Sequence, residues 1–386
     1  LPEEPFQTPL QLCIMTPYPH LDLASDIGFC KERLQKAFDL LNSFVTSGQF
    51  TGACIQVGRN SSSLPPAAFG SMRLDDAEAR VKPDTIFLIA SPTKPITCIA
   101  IAMLLERGLL TLDQAACQVL PELTEDKKDI RLIHLLTHTS GLPDMLPNNT
   151  ELRAAHAGLD GFLEGIYKVP LDFPTGTKVQ YQSMGIMLLA EIARRVSGVS
   201  LQDFLAEEVF KPVGMKDSFL GRRDEDPARI SEVRVPENMA ELDWNWNRDY
   251  WHRLGVPWGG MFSTVSDYCR LLQTMLNGGQ LDGVRTLSPA TASLMTGNHL
   301  PSLPNLPDPE RRGSSWGLGW MKPTVGWSSY FGDLLSPRAF GHGGATGTSV
   351  WADPATGLFC SIFTNQPSIE RELGMISNAV ASSLID

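Results

Sequence analysis

A serine and a lysine three residues apart, Ser91-Pro92-Thr93-Lys94, stand between a strand-like run and a long apolar segment. On a helix, positions i and i+3 share one face, so the amine can reach the hydroxyl. A serine hydroxyl is a weak nucleophile at neutral pH and needs a neighbouring base. An ammonium taken out of water at the positive end of a helix is driven towards its neutral form, which is such a base. The unpaired Ser91 N–H at the helix start can also receive an oxyanion. The bland alternative is a helix-capping serine beside a solvated lysine.

Two further segments add to the pair. Tyr181-Gln182-Ser183 follows the turn Pro174-Thr175-Gly176 and precedes an apolar helix from Met184. Gly341-His342-Gly343-Gly344-Ala345 precedes a strand-like run from Thr348. A phenol beside an ammonium has its own pKa lowered, so Tyr181 and Lys94 are expected to share one proton. The double glycine lets the backbone approach a substrate closely. Taken singly, each has a plain explanation: a half-buried core tyrosine and an ordinary glycine turn.

In this order the three segments resemble the serine β-lactamase-like superfamily of class C β-lactamases, DD-peptidases and family VIII carboxylesterases. S-x-x-K is a signature of such penicillin-recognising enzymes. The stretch from His134 to Pro143 is similar to the H-L-L-x-H-T-S-G-L segment of this group, and the likeness runs over roughly residues 30 to 380. It implies that Ser91 is the acylated nucleophile and that Lys94 and Tyr181 together form the base. Tyr181 would hand a proton to the leaving group, and the Ser91 and Ala345 N–H groups would form the oxyanion hole. Ser183, His342, Gly343 and Gly344 are the expected substrate contacts.

Two departures bear on the substrate. Ser183 stands where the lactamases carry an asparagine, so an amide that would bond a substrate amide carbonyl is missing. His342 stands where they carry a lysine that pairs with the β-lactam carboxylate, and an ordinary histidine is mostly neutral at pH 7. The resemblance therefore points to the esterase branch: a serine carboxylesterase for small esters, with residual β-lactamase activity at most and with no metal or cofactor. The alternatives are a β-lactamase or DD-peptidase-like amide hydrolase, an acyltransferase using the same acyl-enzyme, and an inactive structural homologue.

Other residues compete. Gly313-Ser314-Ser315-Trp316-Gly317 matches the G-x-S-x-G nucleophile elbow, with Asp333 and His342 following in the right order, but the elbow needs a strand before its serine and a helix after it. His134 and His138 are four apart, yet Leu135 stands where a zinc helix needs glutamate, so they are expected to be structural. Trp244, Trp246, Tyr250, Trp251 and Trp258 crowd one segment. They fit either a pocket wall or inter-domain packing, with Trp258 placed near the site.

The elements that must position these groups follow from periodicity. Helices are expected over Lys31–Val45, Ser91–Arg107, Ile130–Thr137, Met184–Val196, Leu201–Phe210 and Thr264–Leu276, and at the C-terminal end. Strands are expected over Ala53–Val57, Ile86–Ile89, Trp316–Met321, Thr348–Ala352 and Leu358–Phe363. Residues 300–313 are expected to be a loop. This is an α+β arrangement: an antiparallel sheet flanked by helices, built from N- and C-terminal segments, with an inserted mostly helical domain. Residues 1–28 form an arm, 29–110 with 262–386 the sheet domain, and 111–261 the helical domain.

The 386 residues are 42% hydrophobic and 19% charged, with a net charge of −11. That is ample for a core without staples. The acidic balance argues against nucleic acid and anionic membrane as partners; the small-molecule ester is the partner that the resemblance implies. The apolar run Ile96–Leu105 is about half the length of a membrane span. Seven scattered cysteines without C-x-x-C read as free thiols in a cytoplasmic setting. Asn60 and Asn148 stand in N-x-[ST] sequons, which would suit a secreted origin.

Overall fold

The computed structural model describes residues 18–324 and 330–385. Its main sheet is antiparallel, with strands β1 (Gly52–Arg59), β2 (Ser62–Ser63), β3 (Ala67–Gly70), β9 (Phe340–Gly344), β10 (Thr348–Asp353) and β11 (Leu358–Thr364). The order is β2-β1-β11-β10-β9, with β3 also paired to β1. Ile55 faces Ile362 across β1 and β11, and Val350 faces His342 across β10 and β9. A small sheet joins β4 (Phe87–Leu88), β6 (Met261–Ser263) and β5 (Phe219–Leu220), and β7 (Gln280–Leu281) with β8 (Val284–Arg285) makes a hairpin.

Both faces of the main sheet are covered, which is why its long strands read as nearly unbroken apolar runs. Ala53, Ile55 and Val57 of β1 join Leu358, Cys360 and Ile362 of β11 in one core. There they meet α1 (Lys31–Thr46) and α13 (Glu370–Ala381). The alternate residues Cys54, Phe359 and Phe363 point into the second core, shared with α10 (Val265–Leu276). A period of two thus divides one strand between two cores. Thr264 caps α10 by accepting from the Asp267 N–H.

The second core continues into the helices between the two halves of the sheet. α2 (Thr93–Glu106) has twelve of its fourteen residues buried, as a helix apolar on every face must. It packs against α6 (Met184–Ser197), α7 (Leu201–Leu205) and α11 (Pro289–Thr296). Shorter helices complete the region: α3 (Leu132–Leu136), α4 (Asn149–Ala154), α5 (Leu159–Lys168), α8 (Lys211–Val213), α9 (Asp249–Leu254) and α12 (Asp308–Gly313).

Several elements differ from expectation. The helix expected over Leu201–Phe210 ends at Leu205 and widens into a π turn over Ala206–Phe210. Pro212, which has no N–H to give to the preceding turn, follows it. The strand expected over Trp316–Met321 is only a pair of isolated bridges, Trp316 to Met321 and Met321 to Gly341. Gly319 at φ +76° turns the chain there. Residues 300–313 contain a 3-10 turn at Leu300–Ser302 and helix α12. Of the expected arm, residues 1–17 lie outside the described residues, and Leu21 and Ala24 are buried in the first core. Six described cysteines are free thiols; Cys13 lies outside. Among the described residues no helix is long and apolar enough to cross a membrane.

Candidate active site

Ser91 lies on a tight turn between β4 and α2. The residue before it, Ala90, has φ +54°, a left-handed conformation that costs a non-glycine residue about 1–2 kcal/mol. Four side-chain hydrogen bonds hold that turn. Thr93 Oγ1 donates to Ala90 O (2.6 Å), Thr348 Oγ1 to Ile89 O (2.7 Å), Thr346 Oγ1 to Leu88 O (2.7 Å) and the Tyr268 hydroxyl to Pro92 O (2.8 Å). Gly344 lets β9 press onto the turn, since a Cβ there would lie 2.3 Å from Ile89 O and 2.1 Å from Thr348 Oγ1. At Gly343 the Tyr330 ring occupies the space a Cβ would take, while Gly343 itself lines a cavity that Ser91 also lines. The segment is also strand β9, not a turn.

Ser91 is not a helix cap. Pro92 occupies the cap position without a side-chain bond, and Ser91 Oγ instead accepts from Lys94 Nζ at 3.1 Å. Lys94 has no exposed surface. Its Nζ also donates to Trp258 O at 2.8 Å and sits 4.7 Å from the centre of the Tyr181 ring. Burial pulls the amine down to about 7, against a smaller upward pull from Asp144. Near neutral pH about half of such amines carry no proton. Trp258, expected near the site, reaches it through its carbonyl, while its ring packs edge-on against Phe162.

Tyr181 corrects another expectation. Burial pushes its phenol well above the ordinary 10, and a hydrogen bond with Ser91 only partly offsets this. Lys94 lies over the face of the ring, so the phenol stays protonated instead of sharing a lowered pKa with the amine. His138 packs on the same ring at 4.9 Å between centroids, and Trp316 at 6.0 Å.

Ser183 and His342 complete the expected set. Ser183 Oγ donates to Asp144 Oδ1 at 2.8 Å, which ties the start of α6 to the loop after Pro143. His342 is buried, with Nδ1 against Gly343 O at 2.8 Å. Burial first, then the nearby Lys94, brings it down to about 3. It is neutral at any physiological pH. The N–H groups of Ser91 and Ala345 donate to no acceptor among the described residues, and both residues line the same cavities.

Two cavities meet at Ser91, Tyr181 and Ala345. One, of about 450 Å³, is walled by Val179, Trp316, Met321, Tyr330 and His342. The other, of about 360 Å³, holds Lys94, Asp144, Ser183, Trp246, Trp251 and Trp258. The tryptophan segment thus supplies one wall.

Ser315 lines the first cavity, but the elbow geometry is missing. The short helix α12 precedes it and a bridge-forming turn follows. Asp333 is exposed and bonds Asn378, while His342 Nδ1 is engaged with Gly343 O. Lys322 also lines this cavity, but its three ammonium hydrogens go to Thr296 O, Arg338 O and Ala339 O. None is left for a substrate carboxylate. His134 Nδ1 accepts from the Arg131 N–H at the start of α3. Among the described residues no three His, Cys, Asp or Glu side chains are grouped to hold a metal ion. Reading the sequence missed Asp144 and Ala90. Asp144 directly follows the Gly141-Leu142-Pro143 end of the recognisable stretch, which was its only signal.

The Beta-lactamase family profile matches residues 38–381, and the chain belongs to that family. It is 28% identical over 394 aligned positions to the N-acetylmuramyl-L-alanine amidase of Bacillus subtilis (strain 168), covering 92% of this chain and 86% of that one. It superposes on a penicillin-binding protein homolog from Caulobacter crescentus with a TM-score of 0.75 at 23% identity, over 92% of this chain and 99% of that one. A family VIII carboxylesterase gives a TM-score of 0.75 at 21% identity, with the same coverage. The expected α+β fold is the fold of these proteins. The family is one of serine hydrolases, and the proteins similar to this chain include one named an esterase and one named an amidase.

Proposed function

We propose that this Beta-lactamase family chain is a serine carboxylesterase acting on small esters through an acyl-enzyme on Ser91. The observation that carries the reading is the buried, weakly basic Lys94 on Ser91, beside a His342 that bears no charge. In acylation, Ser91 Oγ attacks the ester carbonyl and its proton passes to neutral Lys94. The oxyanion is received by the Ser91 and Ala345 N–H groups. Tyr181, held protonated, delivers its proton to the departing alkoxide, and the Lys94 ammonium returns one to it by way of a solvent water, since Nζ meets the ring face and not the phenol oxygen. Water then attacks the acyl-enzyme, giving up its proton to the same pair, and the acid leaves as Ser91 regains its hydrogen. The two cavities flanking Ser91 take the two sides of the scissile bond, Ser183 and Trp258 bounding one and His342, with β9 glycines Gly343 and Gly344 behind it, bounding the other.

A second reading, amide hydrolysis, is favoured by the amidase relative, whose 28% identity exceeds the 21% shared with the esterase. Two features support the ester instead. Ser183 spends its hydroxyl on Asp144, and neither His342 nor the saturated Lys322 can pair with a carboxylate on that side.

The test compares wild type, Ser91→Ala and Ser315→Ala on p-nitrophenyl butyrate and on a chromogenic cephalosporin. Ester turnover lost only in Ser91→Ala, with slow cephalosporin cleavage, is the expected result. Fast cephalosporin cleavage overturns the ester reading, and loss with Ser315→Ala alone overturns the nucleophile.

A further inference from the structure

Arg153, in the last turn of α4, is 8% exposed and lines the cavity that holds Lys94, Asp144 and the tryptophans. Its guanidinium lies 4.5 Å from the centre of the Trp251 ring and 5.8 Å from that of Trp244. Its Nε donates to Asn149 Oδ1 at 3.2 Å. Among the described residues no carboxylate pairs with it, and its terminal amino groups meet no acceptor. An arginine this buried is ordinarily paired, because desolvating a charge is costly. Burial accordingly draws it down to about 10, which still leaves it charged at neutral pH.

The contrast with the other cavity is informative. There Lys322 has all its donors satisfied, and His342 is neutral. Here a planar fork of donors is clamped between aromatic faces and left open. The other charges facing this cavity are Lys94 and Asp144, which act on each other electrostatically and offset one another when Lys94 is protonated. When Lys94 is neutral the Asp144 carboxylate, bonded by Ser183, has no counter-charge in the cavity either, and Arg153 is the charged side chain among the described lining residues whose terminal donors have no partner. A bidentate oxyanion is what such a fork fits, and Trp246 and Trp251 in the cavity wall suit an apolar link between that group and the scissile carbonyl.

We propose that Arg153 anchors a carboxylate carried by the substrate itself, so that the preferred esters bear a free acid at a distance from the bond cleaved. This rests on the ester-hydrolase reading of Ser91. The carboxylate can belong to either half of the ester, and matched substrates separate the two. Monomethyl adipate against methyl hexanoate places the charge on the acyl half. 6-Acetoxyhexanoate against hexyl acetate places it on the alcohol half.

For wild type, one charged ester should exceed its neutral partner by about 10- to 100-fold in kcat/KM, the worth of a charge-assisted bond. Arg153→Met should bring that ratio to near one, and Arg153→Lys, which keeps charge without the fork, should give an intermediate value. A wild-type ratio near one in both pairs overturns the proposal, as does a high ratio that survives in Arg153→Met. Calorimetric titration with adipate gives a readout independent of turnover. It should bind wild type and Ser91→Ala alike and at least tenfold more weakly to Arg153→Met. Failure of esters to turn over with adipate binding intact would overturn only the esterase reading. Adipate binding that ignores Arg153, or no adipate binding, would overturn the anchor. Should Arg153→Met fail to fold, Arg153→Lys and the wild-type ratios decide.

Discussion

Replacing Lys94 by methionine is expected to make the protein more stable while removing its activity. Lys94 has no exposed surface, and burial lowers its amine from 10.5 to about 7. In the unfolded chain the amine holds its proton up to the ordinary value. Folding at pH 7 must therefore either strip that proton or bury the charge, at a cost of about 4 kcal/mol at ~1.4 kcal/mol per pKa unit. Methionine is of similar length and fills the space without a charge. It also abandons Trp258 O, now a buried acceptor without a donor, which costs about 1–3 kcal/mol. The net expectation is a variant about 1–3 kcal/mol more stable at pH 7. Between pH 7 and 10.5 the unfolded wild type binds more protons than the folded one, so wild-type stability rises with pH. The advantage of Lys94→Met must then shrink across that window. Urea denaturation of both proteins at pH 7 and 9.5, beside hydrolysis of p-nitrophenyl butyrate, reads all of this. A variant less stable than wild type at pH 7, or an advantage that does not shrink by pH 9.5, would refute a desolvated amine as the source of the base.

The same amine sets the pH profile: kcat/KM for a neutral ester should climb nearly tenfold per pH unit below about 7 and level off above it, measured on the butyrate ester. A profile flat from pH 5.5 to 8 would remove Lys94 as base. Ser91→Ala and Tyr181→Phe should each lower kcat by a factor of about 1,000 or more, and the double variant should lose little beyond that, because the groups act as a unit. Multiplicative losses in single-turnover kinetics would separate their roles. Gly344→Ala should lose several-fold in folded yield or about 2 kcal/mol or more in denaturation, because its Cβ would meet backbone at 2.3 Å. Gly259→Ala, whose Cβ would sit 3.7 Å from Ala90, is the control and should denature like wild type.

How much of this was legible in the sequence depends on the range over which each feature is decided. Helix α2 and the Ser91–Lys94 pair are local: apolar residues on every face and a spacing of three place hydroxyl and amine together without reference to the rest of the chain. Strands β1, β10 and β11 were legible for the same reason, as continuous apolar runs bounded by turn residues such as Asp353 and Gly357. Strand β9 was not, because three of its five residues are glycine and carry no alternation. Its pairing comes from β10 on one side and a single bridge to Met321 on the other. The helix over Leu201–Phe210 was overextended because the period held while the backbone widened ahead of Pro212.

Electrostatics was the least legible part of the site, and Tyr181 shows why. From spacing alone, a phenol near an ammonium should become more acidic. In the folded chain the phenol and the amine are enclosed by the same walls, and each is pushed towards its neutral form. Enclosure outweighs the mutual attraction of phenolate and ammonium because the amine meets the ring face, where it gains cation–π contact but no bond to the oxygen. That orientation depends on Trp258 O, 164 residues from Lys94, which holds Nζ from the other side. The same enclosure separates the roles of the pair. A neutral amine can take the Ser91 proton, and a neutral phenol can give one to the leaving oxygen. A site whose acid and base are both kept uncharged before the substrate arrives repels no neutral ester, and leaves charge recognition to residues further out in the cavity.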